Sequence, residues 1–579
     1  MTQEKPVPRR LAALAAVLAA ALAAWPLAAG AQTTPTEAAG AGSGGEAEAG
    51  GEAAGAPARL PPDPEREPVP PPAPPPAPEP AAAPAPRLSN FMDTRLSFTC
   101  THEDLLREPT VLPSAPGFHC GRPNALGVLF FDNYDTRFSG FETLSHLALY
   151  THFDKPGQHW DVEGGFIVRV NELSEDNIRL SDGGSYVRAA WWRDASRKDK
   201  TRVALVAFPV SSDRMRLGYS YRISWGGSPE FFKANPDVPQ STGKNPESTP
   251  GAKLQLDLDK AYAYVGLKSS LLLDPEINEK RSVLAVLAGA GADVTPMVRI
   301  DANGGYFDRG KNESEDVLGE PVRLYGASVQ VALHDGMAVG SSIDYALYRN
   351  EPESIARLFK KESYPGGLSW LVSSEASFIF QSLKHPEKTG STKIQRGMAA
   401  DVNARIKLGR TRFKLDVMTR DLAFILHSIP SLPTYWDFPT QYEVTPELFA
   451  SAGADQYFPE YGLTAGLTVG VDLPATLTVP PDEAAMIPGN MTTSTTLVVR
   501  NESARSVLPE GEDVAPIVAV KASGRIDFGD SFAALADVYY QYDPNTVRYD
   551  RDMPEGSFNR ASFANFHQLG FNVTLQARF

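Results

Sequence analysis

The sequence predicts an all-β fold: a transmembrane antiparallel up-and-down β-barrel of about sixteen to eighteen strands, even in number, preceded by a disordered Pro- and Ala-rich segment. Three observations carry this reading. Period-two alternation recurs in short segments from residue 88 to the end. No apolar run after the N-terminal one approaches the roughly eighteen residues of a membrane-crossing helix. Tight turns contrast with long connections, as in barrels that keep their short turns on one side of a membrane.

The N-terminal stretch carries Lys5, Arg9 and Arg10, and residues 11–25 are apolar until Pro26. That run falls short of the ~20 residues that cross a bilayer as a helix, and Ala29-Gly30-Ala31 follows as a small-x-small cleavage pattern. Residues 1–31 read as a removable secretory signal, with a retained membrane anchor as the alternative. No cysteine stands at the cleavage point, so a lipid anchor is not expected. Residues 32–87 are almost wholly Ala, Gly, Pro and Glu and close with PPPAPPPAPEPAAAPAP. Such a segment cannot bury enough apolar surface to offset the entropy of ordering, and its proline part is expected to extend at ~3.1 Å per residue. It reads as a tether, either inert or reaching a periplasmic or envelope partner.

Residues 88–579 are expected to form the barrel, and three hairpins show its texture. In the first, Val518, Val520, Ala522, Gly524, Ile526 and Phe528 share a face opposite Lys521, Ser523, Arg525 and Asp527. Gly529-Asp530 turns the chain into Phe532, Ala534, Ala536, Val538, Tyr540 and Tyr542, opposite Asp537 and Gln541. In the second, Ala400, Val402, Ala404, Ile406 and Leu408 oppose Asp401, Asn403, Arg405 and Lys407. Gly409-Arg410-Thr411 then leads into Phe413, Leu415 and Val417, opposite Arg412, Lys414 and Asp416. The third is expected to turn at Asp335-Gly336, joining Ala327–Leu333 to a return strand through Met337, Val339, Ile343, Tyr345 and Leu347. Val298, Ile300 and Ala302 alternate likewise with Arg299, Asp301 and Asn303.

Alternation alone suits a soluble sandwich equally well. The apolar faces here persist for the ~9–11 residues that a tilted strand needs to cross hydrocarbon. A helix-poor unit from 88 to 579 also exceeds the ~250–300 residues at which soluble cores stop growing. Trp191, Trp192, Tyr345, Tyr348, Tyr539, Tyr540 and Tyr542 are expected to form girdles at the interfaces. Long connections are expected near 228–251, 308–322, 426–458 and 543–565, on the side opposite the tight turns. The turns at 335 and 410 belong on one side, yet an odd number of segments separates them. Either a strand within 367–408 escapes the pattern or one turn faces outward.

The chain ends in FNVTLQARF, in which Phe571, Val573, Leu575, Ala577 and Phe579 alternate with Asn572, Thr574, Gln576 and Arg578. This stretch resembles the C-terminal signal of Gram-negative outer-membrane β-barrel proteins, a porin-like class. The resemblance covers the secretory signal, the alternating strands and the last strand, and it singles out no family within the class. It implies residence in the cell outer membrane among its lipids, with the N-terminal arm in the periplasm. It also implies the barrel assembly machinery as a partner during biogenesis.

Composition narrows the function classes. The formal net charge is −15, and losing Lys5, Arg9 and Arg10 together with Glu4 would make the mature chain more acidic, which argues against nucleic acid as partner. Cys100 and Cys120 are the two cysteines. In an exported chain they are expected to form one disulfide, two unrelated thiols being the alternative, and their spacing fits no metal motif. Residues 119–146 break the rhythm and read as a loop or short helix folded into the barrel mouth or lumen, with an ordinary loop or irregular strand as the alternative. Asp132, Asn133, Asp135 and Ser139 there only loosely match a calcium loop. No metal or cofactor is expected.

No Walker loop, nucleophile elbow or His-Glu-x-x-His occurs, and the nine histidines are scattered. The chain is not expected to be an enzyme, with an outer-membrane hydrolase as a remote alternative. Arg299, Asp301, Arg405, Lys407, Arg412, Lys414, Asp416, Lys521, Arg525 and Asp527 are the expected lumen-lining residues. A wall of both signs suits passive diffusion of small solutes or ions. The alternative is a non-conducting structural barrel that anchors an envelope complex through its Pro-rich arm.

Overall fold

The computed structural model describes residues 90–102, 119–122, 145–154, 158–173, 178–182, 185–209, 217–220, 223, 250–274, 276–277, 279–312, 314–337, 339, 367–427, 438–480, 494–499, 505–509, 511–549, 561–563 and 566–579. The chain divides into Met1–Leu88 and Ser89–Phe579. The expected signal peptide and linker lie outside the described residues.

The second unit is a closed antiparallel barrel of eighteen strands. In chain order these are β1 (Asn90–His102), β2 (His146–Asp154), β3 (Trp160–Leu173), β4 (Tyr186–Trp192), β5 (Arg202–Phe208), β6 (Gly251–Asp257), β7 (Ala261–Asp274), β8 (Glu279–Thr295) and β9 (Val298–Lys311). There follow β10 (Pro321–Asp335), β11 (Leu368–Lys384), β12 (Thr392–Leu408), β13 (Thr411–Arg420), β14 (Glu447–Phe458), β15 (Leu463–Leu473), β16 (Ile517–Phe528), β17 (Phe532–Tyr542) and β18 (His567–Arg578). Each strand pairs with the next, and β1 closes on β18 from Asp93 opposite Arg578 to His102 opposite Leu569. Closure leaves no edge strand in the ring, which is the condition for a sheet to stand in hydrocarbon. Short strands His119–Arg122 and Ile178–Asp182 extend the wall beside β1 and β3.

Both ends of the ring lie on one side, where the Met92 N–H donates to the Phe579 carbonyl at 2.8 Å and Phe579 returns the bond at 2.9 Å. This terminus side carries the tight connections 258–260, 296–297, 409–410, 459–462 and 529–531, and the far side carries 103–145, 209–250, 421–446 and 474–516. The expected asymmetry holds with two exceptions: 336–367 is a long connection on the terminus side, and 275–278 a short one on the far side.

Period two decides which face each residue takes. Outward positions are large and apolar: Leu254 and Leu256 on β6, Val265 and Leu267 on β7, Val329 and Val331 on β10, Val573 and Leu575 on β18 all stay exposed. Inward positions are polar yet buried, among them Asp93, Glu163, Arg188, Lys268, Asp301, Glu375, Asp401, Asp416 and Lys521. A soluble protein has the opposite arrangement.

Four expectations are corrected. The 327–333 segment does not pair with 337–347, because β9 and β11 occupy both edges of β10; residues 341–366 lie outside the described residues. β11 is the strand that escaped the pattern, and it puts the turns at 335 and 410 on one side. Its sequence LSWLVSSEASFIFQSLK places Ser374 and Ser382 outward and Leu371 and Ile379 inward, which blurs the alternation. The expected long connection 426–458 contains β14. Of the expected girdle, Trp191 and Tyr540 face outward, but Trp192 and Tyr539 face inward; Tyr345 and Tyr348 lie outside the described residues. In the 119–146 stretch, His119–Arg122 lies in the wall and 145–146 begins β2, while 123–144, with the loose calcium-loop residues, are outside the described residues. The β1 register sets Cys100 directly opposite Cys120.

Candidate functional site

The barrel interior is the candidate site, and its charged wall is densest toward the terminus side. All ten expected lumen-lining residues fall on inward-facing positions, and most are matched with an opposite charge. Arg299 on β9 contacts Asp301 at 3.0 Å and Asp293 at 3.4 Å. Tyr262 donates to Asp301 at 2.8 Å, and its ring lies 5.2 Å from the Arg299 guanidinium. Arg405 on β12 meets Asp416 on β13 at 3.3 Å, with Lys414 3.7 Å from the other carboxylate oxygen. Arg412 pairs with Asp455 at 2.6 Å, and Arg525 donates to Asp527 at 2.8 Å and to Gln576 at 3.1 Å. Lys407 lies near the β12–β13 turn, and Lys521 is buried on β16.

The seam where the barrel closes has a network of its own. Asp93 on β1 contacts Arg95 at 3.2 Å, Arg578 at 3.3 Å and His146 at 3.3 Å, and accepts from Gln576 at 2.6 Å. A second group joins β3 to β4: Arg188 meets Glu163 at 2.6 Å and Asp161 at 3.3 Å, and Trp192 donates to Asp161 at 2.5 Å. The Arg197 guanidinium stacks 4.6 Å over the Trp192 ring. In each case a charge removed from bulk water is retained because an opposite charge or a donor reaches it.

Nearer the far side the interior changes character. Part of the long β5–β6 connection, Leu217–Ser220, lies against the inner wall. The Gly218 N–H donates to Asn303 on β9 at 3.1 Å, and the Tyr219 and Ser220 N–H groups donate to the two carboxylate oxygens of Glu375 on β11. Ser328 and Ser377 donate to the same carboxylate. Asp401 stands directly opposite Glu375 on β12, also buried. Burial first, then the Tyr262 and Tyr264 phenols and Asp301, pushes the Tyr219 phenol far above its ordinary range, so it stays neutral.

Apolar inward side chains pack on this segment. Leu217 and Ile223 share a buried cluster with Leu287, Phe307, Leu324, Ile379, Met418 and Phe449 of the wall and with Phe424. Phe424 belongs to α1 (Leu422–His427), which starts where the Asp421 carboxylate accepts its N–H at 2.7 Å. Burial raises the Asp421 carboxyl, against the N–H groups of Phe424 and Met398 that lower it. The helix start lies so close to β12 that a Cβ at Gly397 would fall 2.8 Å from the Phe424 nitrogen. The other face of α1, Leu422 and Ile425, packs on Ala475 and Val499 of a small sheet (443–445, 475–479, 495–499, 505–507) formed by the far-side connections.

The wall therefore presents grease outward and charge inward around a closed ring. The fold is that of an outer-membrane β-barrel. Sequence reasoning found the charged inward positions of the strands it located and set Asn303 on the polar face, but missed Asp93, Glu163, Arg188, Lys268, Glu375 and the Leu217–Ser220 segment. Glu375 had one available signal, a lone carboxylate in the serine-rich run SSEAS.

No protein-family model matches the barrel sequence, and no curated protein matches it. Similar solved structures include OprD of Pseudomonas aeruginosa, 11% identical over 85% of this chain and 95% of that chain with a TM-score of 0.35. OccAB1 of Acinetobacter baumannii is 8% identical over 85% and 96%, TM-score 0.40, and OmpT, an outer membrane protein of Vibrio cholerae, 9% identical over 85% and 96%, TM-score 0.30. Likenesses this loose carry no weight, and the barrel rests on its own strand pairing.

Proposed function

We propose that the barrel is a narrowed outer-membrane channel through which small polar solutes or ions diffuse passively. The observation that carries this reading is the inserted Leu217–Ser220 segment, held to an otherwise charged inner wall by Glu375 and Asn303. A closed ring with charges of both signs inside is a wet conduit in principle. A segment folded into it restricts the free width without closing the ring. Passive passage needs no catalytic group and no cofactor. The tight connections then face the periplasm, with the N-terminal arm on that side, and the long connections face outward.

Purified protein in a planar bilayer tests the proposal: discrete, voltage-stable conductance steps are expected. Bilayers that stay silent at several protein densities overturn it. The apolar layer around Leu217, Ile223 and Phe424 favours one other reading, a non-conducting barrel that anchors an envelope complex through residues 32–87. That reading requires silent bilayers together with envelope proteins that co-purify only when 32–87 is present.

A further inference from the structure

The outward wall carries cationic side chains where grease is expected. They include Arg323 on β10, Lys384 on β11 and Arg396 on β12. Lys384 is ion-paired with Asp316 at 2.7 Å. Arg323 and Arg396 are exposed, and no ion pair holds either of them among the described residues. Asp308, directly opposite Arg323 on β9, instead accepts the Gly310 N–H at 2.9 Å.

The register places both arginines in one patch. Tyr306, Tyr325, Phe380 and Arg396 are successive partners across β9 to β12 and all face outward. The Tyr306 and Tyr325 rings lie 5.2 Å apart. Arg323 stands one outward position beyond Tyr325, toward the far side. Away from the far side the same face turns predominantly apolar, with Phe378, Met398, Val329 and Val402 exposed. An aromatic row at the edge of an apolar band marks the depth of lipid headgroups. From strand geometry the two arginine Cα atoms are about 12 Å apart, two strand spacings across and one two-residue step along.

A guanidinium facing hydrocarbon is costly, and near the interface it is tolerated because it reaches phosphate, which it binds as a planar fork of donors. We infer that Arg323 and Arg396, over the Tyr306–Tyr325–Phe380 row, form a binding patch for the phosphate groups of a phosphorylated glycolipid in the leaflet on the far side. The occupant follows from charge complementarity: two cations that no ion pair holds among the described residues, at headgroup depth at the edge of an apolar band.

The test uses full-length protein in zwitterionic detergent, titrated with a bis-phosphorylated glucosamine glycolipid or with the same lipid after phosphatase treatment, and read by native mass spectrometry. Heat-modifiable gel migration and insertion into phosphatidylcholine vesicles check folding and membrane placement separately. Wild type is expected to prefer the phosphorylated lipid. Arg323→Gln or Arg396→Gln should each weaken binding about fivefold and the double substitution roughly thirtyfold, at ~1 kcal/mol for each arginine near a charged lipid surface. Arg323→Lys/Arg396→Lys should keep most of the binding. Equal binding of both lipids by wild type, or unchanged binding in the folded double glutamine variant, overturns the inference. Should that variant not fold, wild-type binding of the phosphorylated lipid that ignores added NaCl overturns it as well.

Discussion

Replacing Glu375 by glutamine asks how firmly the inserted segment is held. The carboxylate accepts the Tyr219 N–H at 2.9 Å on one oxygen and the Ser220 N–H on the other. Hydrogen bonds to a charged group contribute about 1.5–3 kcal/mol each and neutral ones about 0.5–1.5 kcal/mol. Glutamine keeps one acceptor but turns an NH2 group toward the second N–H. One bond is lost outright and the other falls to neutral strength, a loss of about 2–4 kcal/mol. Against this, the substitution removes one of two buried carboxylates set opposite each other, Glu375 and Asp401, and like charges in that position repel. The lower end of the range, about 2 kcal/mol, is therefore expected, which multiplies the released population roughly thirtyfold. Hydrogen exchange at the Tyr219 and Ser220 amides should accelerate by that factor, and single-channel current should become larger and noisier. Glu375→Asp, which keeps the charge on a shorter stem, should fall between. A folded Glu375→Gln barrel with wild-type exchange at both amides and wild-type current would refute the idea that this carboxylate holds the segment.

Asp416→Asn should destabilise the barrel by about 3–5 kcal/mol, because Arg405 and Lys414 lose the carboxylate between them while remaining buried; urea unfolding in lipid vesicles reads this, and a shift under 1 kcal/mol contradicts it. Cys100 and Cys120, opposite each other in register, should show no thiol reactive to maleimide in denatured, unreduced protein, since facing antiparallel partners lie about 4.5–5.5 Å apart, within disulfide reach. Two labelled thiols per chain would disprove the bond. Phe579 packs edge-on against Phe532 at 5.7 Å and exchanges backbone bonds with Met92, so deleting it should lower accumulation in the outer membrane several-fold in fractionated cells; normal accumulation counts against a role for the last strand in assembly. Gly570→Val should prevent stable closure of β17 on β18, because a Cβ there would fall 2.1 Å from the Tyr539 ring, and Tyr539→Ala on the same chain should restore heat-modifiable migration.

The strands that sequence reasoning located share one property. In β12, β13, β16, β17 and β18 the outward positions are apolar or small with few exceptions, Arg396 among them, and most inward positions toward the terminus side are polar, because those stretches of inner wall meet charge. β11 resisted because its inward Leu371 and Ile379 meet other side chains, Ile379 lying in the cluster with Leu217, so the inner face is no longer polar. Trp192 and Tyr539 were misplaced for a related reason. An aromatic was assumed to belong at the lipid interface, but each sits on an inward position and finds a partner there, Asp161 for Trp192 and the open surface of Gly570 for Tyr539.

Local chemistry along the chain was enough to specify a lipid-facing barrel with an even strand count, the inward face of the charged residues in the strands it located, and the side on which most tight turns gather. Those follow from a two-residue period and from the exclusion of water by hydrocarbon, and both act residue by residue. The folded barrel alone decided that Leu217–Ser220 lies on Glu375, that Asp93 gathers partners from β1, β2 and β18, and that two arginines share a greasy outer patch. Such meetings join positions on different strands and connections and depend on register and closure, which no local pattern encodes.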